Sequence, residues 1–462
     1  MADLLRMLGF TSNALEAQRF GLDVVGQNIA NVNTPGYARR VVDLGAVPAV
    51  EPQSAGSGVE VLGVRSLRDM LIARRLWAEL PREQREQAAA ESLGVVEVAL
   101  GEPGSSIDQR LNDFFDAFAG LADAPTSATA RQEVILQAQT LAASFRDLAT
   151  RFDVSVRDTD NRVRSVVQQV NELTDRVASL NGAFATVPPD SAEALQLRDQ
   201  MTLALEELSG LAAVNAVQRS DGGYDIELAG GGTLVVGNQA YALQVTNRAG
   251  SGLAEIVAGD SVVTSAMTSG ELGGLLYVRD SALPAYQARL DDLAYTLAQQ
   301  VNATHRLGYD ANGAPGGDVF VPLAGPAGSA RALAVTDAIG APGGEALIAA
   351  SGTGAPGDNQ NARALAALRD GKFLNGNTAT FIEAWSGLVY AVGHDTAAAT
   401  DAAQTHGEIT AQIRNLQDSV SGISLDEEAA DMMRFQRAYE ANARFFRAID
   451  DTLDILMKAF GA

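Results

Sequence analysis

Apolar and aromatic residues near the C-terminus recur at an interval of seven. One row consists of Leu425, Met432, Tyr439, Phe446, Leu453 and Phe460, and a second row of Phe435, Asn442, Ile449 and Leu456 follows three residues behind. This is the a/d spacing of a coiled coil. The N-terminal segment shows similar spacing at Leu4, Leu8, Leu15, Leu22, Val25 and Ile29. Both ends of the chain are therefore predicted to be helices that join something through apolar seams.

The N-terminal helix is expected to span residues 1–30. Gly9 weakens its first turns, and Asn13 with Glu16 reads as a capping box, so the continuous helix is expected to begin near Asn13. Because the heptad register is the same on both sides of Gly9, the first dozen residues could become helical on assembly. Asn442 stands in an otherwise apolar C-terminal row, where it either fixes the helix register or faces a hydrated part of the seam.

A turn motif follows the first helix. It consists of Asn31, Asn33, Thr34, Pro35, Gly36 and Tyr37, with Val32 between the two asparagines. Proline fixes φ and glycine accepts a positive φ, so Pro35 and Gly36 suit the two central positions of a type II turn. The motif is predicted to act as a hinge that sets the angle of the N-terminal helix.

The middle of the chain carries narrow apolar stripes with alternating steps of three and four. They cover residues 107–121, 134–152, 163–180 and 283–297. The third stripe stops at Asn181 and Gly182, which suit a helix C-terminus. Stripes this narrow favour an elongated, rod-like helical bundle, although separate amphipathic helices around an ordinary core remain an alternative.

Two stretches lose the helical pattern. Around residues 212–268, the turn Asp221-Gly222-Gly223 separates the alternating residues of a hairpin, and Tyr241, Leu243 and Val245 alternate as a further strand. Residues 308–358 are rich in glycine, proline and alanine and are expected to form a loop or a second β excursion. The predicted fold is mainly α with an inserted β domain (α+β), and its domains are discontinuous and nested.

The predicted domains follow from these segments. Residues 1–65 and 405–462 form a terminal coiled-coil segment. Residues 66–211, 270–310 and 359–404 form a rod-like helical middle domain. Residues 212–269 with 311–358 form a small β-rich outer domain.

The composition excludes several function classes. The chain of 462 residues has a net charge of −23 and a pI near 4.5. Nucleic acid and anionic membranes require clustered lysine and arginine, so neither is an expected partner. There are no cysteines, which excludes disulfides, thiolate catalysis and zinc–thiolate sites. No apolar run is long enough for a membrane span, and the start does not read as a cleaved secretory signal.

No motif indicates a catalytic, cofactor or metal site. Residues 352–357 match a dinucleotide-loop expression, but no strand precedes them and Pro356 disrupts the turn. Asp310 and its neighbours lack the ligand spacing of a calcium loop. The three histidines are scattered and are interpreted as surface or helix-packing residues. The sequence therefore predicts a chain without enzymatic activity, cofactor or bound metal.

The turn motif lies within a recognisable signature. Residues 30–37, ANVNTPGY, resemble the N-terminal signature of bacterial flagellar rod, hook and hook-associated proteins. Residues 421–430, SGISLDEEAA, are similar to the C-terminal region of the flagellar hook-associated protein 1 family, although Asp431 replaces the asparagine usual in that pattern. Further agreement with that family lies at residues 197–200, 270–276, 308–313 and 357–362.

The resemblance implies a structural protein at the junction between hook and filament, outside the cell. Its implied partners are copies of itself, the hook protein and a second junction protein. It also implies export by the flagellar type III route, with a chaperone that binds the C-terminal seam beforehand. Another axial protein, of the hook or distal rod type, remains an alternative, and a secreted wall hydrolase is a further one without a supporting motif.

Overall fold

The computed structural model describes residues 2–48, 58–101, 107–189 and 191–459. Helices dominate these ranges, as predicted. In chain order they are α1 (Ala2–Ala30), α2 (Met70–Leu100), α3 (Ile107–Asp123), α4 (Ala128–Phe184), α5 (Ala192–Leu211), α6 (Gly270–Tyr277), α7 (Leu283–His305), α8 (Ser329–Ala332), α9 (Asp337–Gly340), α10 (Gln360–Ala367), α11 (Phe381–Ser421) and α12 (Leu425–Ala459).

The first and last helices pack against each other in opposite directions. Phe10 of α1 stacks on Phe445 of α12, with ring centroids 6.3 Å apart. At the other end of α1, Asn28 hydrogen-bonds Glu428 near the start of α12. We call α1 and α12 the terminal helix pair. Helix α1 is continuous from Ala2, so the expected start near Asn13 is wrong.

Two strands connect α1 to the rest of the chain. Strands β1 (Arg40–Ala46) and β2 (Val59–Ser66) form an antiparallel ribbon with a bulge between Asp43 and Leu44. After the ribbon, α2 begins at the cap residue Asp69, whose side chain accepts the Leu71 N–H at 2.8 Å. The ribbon therefore joins the terminal helix pair to the helical body.

The inserted β region follows α5. Strands β3 (Val214–Gln218), β4 (Tyr224–Leu228), β5 (Thr233–Val236) and β6 (Gln239–Ala240) form one sheet in that order, and β7 (Gln244–Asn247), β8 (Ala254–Ala258) and β9 (Ser261–Val262) form a second. The predicted hairpin is confirmed, with Val217 opposite Asp225 and Gly222 at a φ of 96°. Of Tyr241, Leu243 and Val245, which were expected to alternate along one strand, only Val245 lies in a strand.

Helix α4 is longer than either stripe that predicts it. Its 57 residues carry both the 134–152 and the 163–180 stripes, and it continues through Asn181 to Phe184. The predicted stop at Asn181 is wrong because that side chain binds the β region instead. Its Nδ2 donates to the Tyr224 carbonyl at 2.7 Å and to the Gly237 carbonyl at 2.6 Å.

Two apolar clusters share α4. The first half of α4 packs with α3, α7, α10 and the start of α11, and the second half packs with α5, α6 and the β sheets. Residues 319–350 contribute to the first cluster, where Phe320 lies 5.8 Å from the ring of Phe114. They share no core with residues 212–269, although the sequence assigned both segments to one outer domain. Short bridges and helices here bury apolar side chains against α3 and α7, which no local pattern reveals.

Candidate functional site

The predicted N-terminal seam lies beside the line along which α1 packs on α12. Within residues 4–30 of α1, the buried residues are Thr11, Ala17, Gly21, Val24, Val25 and Asn28. Of the predicted seam only Val25 is buried, whereas Leu4, Leu8, Leu15, Leu22 and Ile29 remain partly exposed. The row of large aliphatic side chains is therefore only partly covered by α12.

Small residues explain this offset. Gly21 lies so close to α12 that a Cβ atom added to it would be 2.5 Å from the ring of Phe435. Ala17, one turn earlier, is also buried. Close approach is possible where side chains are small, so α1 presents its glycine and alanine face to α12. The leucine row is left at the edge of the contact.

The C-terminal seam faces α1 along most of its length. Ile449 is buried, and Met432, Phe435, Asn442, Phe446, Leu453 and Leu456 are partly buried. Leu425 and Tyr439, at the edge of this row, are 53% and 39% exposed. Phe460 lies outside the described residues. A single partner helix thus covers the seam incompletely.

The predicted type II turn is confirmed. The Tyr37 N–H donates to the Thr34 carbonyl at 3.2 Å, and Gly36 has a φ of 77°. Asn31 stabilises the preceding bend, because its Nδ2 donates to the Gln27 carbonyl at 2.9 Å and its Oδ1 accepts from the Thr34 hydroxyl at 3.1 Å. Asn33 and Pro35 are exposed.

The turn is held against α5. A Cβ added to Gly36 would lie 3.3 Å from both the Asp199 carbonyl oxygen and the Leu203 Cβ. Arg68 donates to the Gly36 carbonyl at 2.6 Å and to Asp199 Oδ1 at 2.8 Å. Arg40 donates to Asp199 Oδ2 at 3.1 Å. Burial raises the pKa of the Asp199 carboxyl above its usual value, although Arg68 and Arg40 each lower it.

A buried carboxylate connects α12 to the same turn. Glu428 is 1% exposed and accepts from Arg39 Nε at 2.7 Å and from Asn28 Nδ2 at 3.0 Å. Burial lowers the pKa of Arg39, but its hydrogen bond to Glu428 and the surrounding carboxylates raise that pKa above its ordinary value. Asp431 belongs to this group, with Oδ2 3.4 Å from Arg39 Nη2.

Asn28 completes these contacts. Its Oδ1 accepts from the Arg40 N–H and from the Tyr37 hydroxyl, both at 3.0 Å, and its Nδ2 also donates to the Arg40 carbonyl at 2.8 Å. We call Asn28, Arg39, Arg40, Arg68, Asp199 and Glu428 the polar junction. It ties α1, α12, the turn and α5 together.

Sequence reasoning missed the polar junction. Asn28 and Glu428 are 400 positions apart, and nothing in either local pattern pairs them. Glu428 follows Ser424 and Glu427, whose Ser-x-x-Glu spacing suits a capping box, but only half of that box forms. The Glu427 N–H reaches the Ser424 hydroxyl at 3.5 Å, while the Glu427 carboxylate binds Arg39.

The motifs that suggested chemistry have structural partners. In the 352–357 loop, Asp358 Oδ2 accepts the N–H groups of Gly352 and Thr353, both at 2.8 Å, so the chain's own carboxylate uses these donors. Asp310 Oδ1 accepts the N–H groups of Asn312 and Ala314 and closes a turn.

Within the described ranges, no group of three or more histidine or carboxylate side chains is placed to hold a metal ion. Across the same ranges, none of the helices is both long and apolar enough to cross a membrane.

Protein-family models match three segments of the chain. A model of the flagellar hook-associated protein FlgK helical domain matches residues 93–320. A model of the flagellar basal body rod FlgEFG protein C-terminal region matches residues 418–459, and a model of the flagella basal body rod protein matches residues 8–37. The last two matches coincide with α12 and with α1 plus the turn.

Whole-chain relatives agree with these matches. Flagellar hook-associated protein 1 of Bacillus subtilis (strain 168) is 29% identical over 97% of both chains. The protein of the same name from Escherichia coli (strain K12) is 24% identical over 96% of this chain and 98% of its own.

The fold is similar to that of a solved structure, the flagellar hook junction protein FlgK from Burkholderia pseudomallei. That similarity has a TM-score of 0.67 at 19% identity and covers 75% of this chain and 100% of the other. Family models at both ends and in the middle, near-complete coverage of curated relatives, and a shared fold all agree. The chain is similar along nearly its whole length to flagellar hook-associated protein 1.

Proposed function

We propose that this chain is a structural component of the bacterial flagellum that joins hook to filament through its terminal helices. The observation that carries the proposal is that the same two segments have two properties. The two segments that match rod-protein models are the two that form the terminal helix pair and its turn. These are also the helices whose apolar rows are only partly covered within one chain.

The physical basis is incomplete burial. Each ordered residue costs about 1–2 kcal/mol of backbone entropy, and a fully buried large apolar side chain returns about 1.5–3 kcal/mol. Among the described residues of α12, only Ile449 and Glu428 are buried. Neighbouring subunits would cover the remaining seam. We therefore propose that both termini are mobile in the free monomer and become ordered on assembly, whereas the body is folded throughout.

The same incomplete burial of the terminal helices suggests which segments form the axis and which partners cover them. Residues 1–65 and 405–462 would form the axial segment, and the body would project from it. The partners would be copies of the chain, the hook protein, a second junction protein and an export chaperone that covers the C-terminal seam before assembly. Export would not require a cleaved signal, and the location would be the hook–filament junction outside the cell.

A strain that lacks the gene tests the proposal. We expect it to assemble hooks, to release filament subunits into the medium and to be non-motile, with recovery on complementation by the full chain. Normal filaments in the deletion strain would refute the function.

Another axial role has one observation in its favour, because both terminal models are those of rod proteins. The match of residues 93–320 to the hook-associated helical domain favours the junction. Immunogold labelling at the hook tip would support the junction, and labelling along the hook or rod would support the other role.

A further inference from the structure

Charges on the exposed side of α12 are separated by sign along the helix. Near its middle, Arg434, Arg437, Arg444 and Arg447 are all exposed, with Glu440 as the one acidic residue among them. This is a basic stretch in a chain whose net charge is −23. We call these four arginines the basic band.

An acidic group follows directly. Asp450, Asp451 and Asp454 are exposed on the next turns, and Lys458 pairs with Asp454 at 3.4 Å. We call these three aspartates the acidic band. The centres of the two bands lie about eleven residues apart, which is roughly 17 Å along a helix.

Most of these charges have no partner within the chain. Arg434 pairs with Asp431 at 3.2 Å. In the described part of the chain, no opposite charge lies within ion-pair distance of Arg437, Arg444 or Arg447, nor of Asp450 or Asp451. Pairing along the helix does not neutralise the bands. Arg447 precedes Asp451 by four residues, which is the less favourable orientation, and Glu440, four residues before Arg444, forms no ion pair with it in the described part of the chain.

Exposed apolar side chains accompany the bands. Phe445 lies within the basic band and is 44% exposed, while Ile455 follows the acidic band and is 69% exposed. Met433, just before the basic band, is 51% exposed. Large apolar residues flanked by unpaired charges are typical of a surface that another protein covers.

A second copy of the chain fits this surface. Subunits arranged around and along one axis carry their α12 helices in the same direction. Two such helices side by side at equal height would place basic band beside basic band, which is repulsive. A shift along the axis by the separation of the bands places the arginines of one copy beside the aspartates of the next.

We propose that neighbouring copies contact one another along α12 with an axial offset of about eleven residues, or roughly 17 Å, set by the basic band of one copy against the acidic band of the next. This inference rests on the proposed function, because it requires that copies assemble through their termini. It adds the relative height of adjacent copies and the residues that determine it.

Charge reversal in the full chain tests the offset. We expect Arg437→Glu/Arg444→Glu to reduce the fraction of filament-bearing cells by about tenfold or more, because like charges then face each other. Asp450→Arg/Asp451→Arg should have the same effect. A variant with all four substitutions restores opposite charges between copies and should recover most of the filaments.

Matched controls separate this effect from a change in net charge. Arg151 and Arg157 are exposed on α4 of the body, and Arg151→Glu/Arg157→Glu makes the same change in charge away from α12. This control should retain its filaments. Circular dichroism and melting of each purified variant should match the parent chain.

The outcomes are distinct. If both band variants behave like the α4 control, or if the four-fold variant is as defective as either half, the offset between copies is refuted. The proposed function is tested separately by Phe446→Asp, which alters the seam and not the bands. Normal filaments in that variant would refute assembly through the termini, whatever the charge variants do.

Discussion

The terminal helix pair and the helical body are built from similar apolar spacings but bury them to different degrees. Helix α3 has 17 residues, of which eight are buried, including Phe114 and Phe118. Helix α12 has 35 residues, of which two are buried. The spacing of apolar residues thus predicts a helix and the apolar face through which it packs. It does not determine whether the same chain supplies the other side.

The two regions also differ in how they are fastened. The body is held by apolar clusters, with Phe145 and Phe152 of α4 fully buried. The terminal pair is fixed at its base by the polar junction, where hydrogen bonds and ion pairs require defined directions. We infer that the apolar clusters mainly stabilise the body, whereas the polar junction mainly fixes the direction in which the terminal helix pair leaves it.

The largest expected effect is on assembly. Phe446→Asp introduces a charge into the partly buried seam of α12, where burial of an unpaired carboxylate is unfavourable. We expect soluble monomer and loss of nearly all filament attachment and motility. Glu440→Gln on the exposed side of the same helix is the control and should attach filaments. A marked fall in the melting temperature of the body would contradict the separation of the two regions.

A substitution in the core of the body should mainly lower the stability of the purified chain. Phe118 is fully buried in the first cluster, so Phe118→Ala should lower the free energy of unfolding by about 3–5 kcal/mol. Denaturant unfolding of the purified chain measures this. Leu136→Ala on the exposed side of α4 is the control and should change stability by about 0.5 kcal/mol or less. Equal losses for the two variants would show that this cluster does not hold the body together.

The turn should affect orientation more than stability. Gly36→Val places a β-branched residue at a φ of 77° and its Cβ against α5, at a local cost of about 1–3 kcal/mol. We expect filament attachment to fall severalfold while the melting temperature of the body changes little. Gly9→Ala, which has open space around it, should be neutral. Equal damage to attachment and to body stability would argue against a hinge at Gly36.

The smallest expected effect is a pH dependence of the body's stability. His305 is fully buried, with Nδ1 2.7 Å from the Gly317 carbonyl and Nε2 accepting the Ala349 N–H at 2.8 Å. Burial lowers the pKa of His305 below its usual 6.5, so the unfolded chain takes up the proton first. Stability should be full above about pH 6.5 and should fall by up to roughly 1.4 kcal/mol per pH unit below it.

The difference between variants isolates this contribution. His305→Gln should lose this part of the pH dependence, because its amide does not titrate. His394→Gln, at an exposed position, should retain it. If the profile of His305→Gln follows that of the parent chain between pH 4 and pH 7, the neutral imidazole is not responsible.

Local patterns in the sequence predicted local structure well. The turn at Gly36 and the hairpin around Gly222 follow from backbone preferences within a few residues. The stripes on α3, α4 and α7 follow from helical periodicity. Each depends on neighbours in the chain, so a single sequence was sufficient.

Contacts between residues far apart in the chain could not be predicted from the sequence alone. The pairing of Asn28 with Glu428 and the bridge from His305 to Ala349 join polar residues that have no shared pattern. The packing line of α1 was misjudged for a related reason. Hydrophobicity favours the leucines, but closest approach depends on Gly21 and Ala17, which contribute little apolar area.

Helix α4 has a mechanical consequence. At 57 residues it is about 86 Å long, and it passes through both apolar clusters without a break. Because both apolar clusters pack on this one helix, we expect heat to unfold the body in one cooperative step. A bending force on one cluster would likewise be transmitted to the other through this single rigid helix. Such stiffness suits a protein that transmits rotation from the hook to the filament.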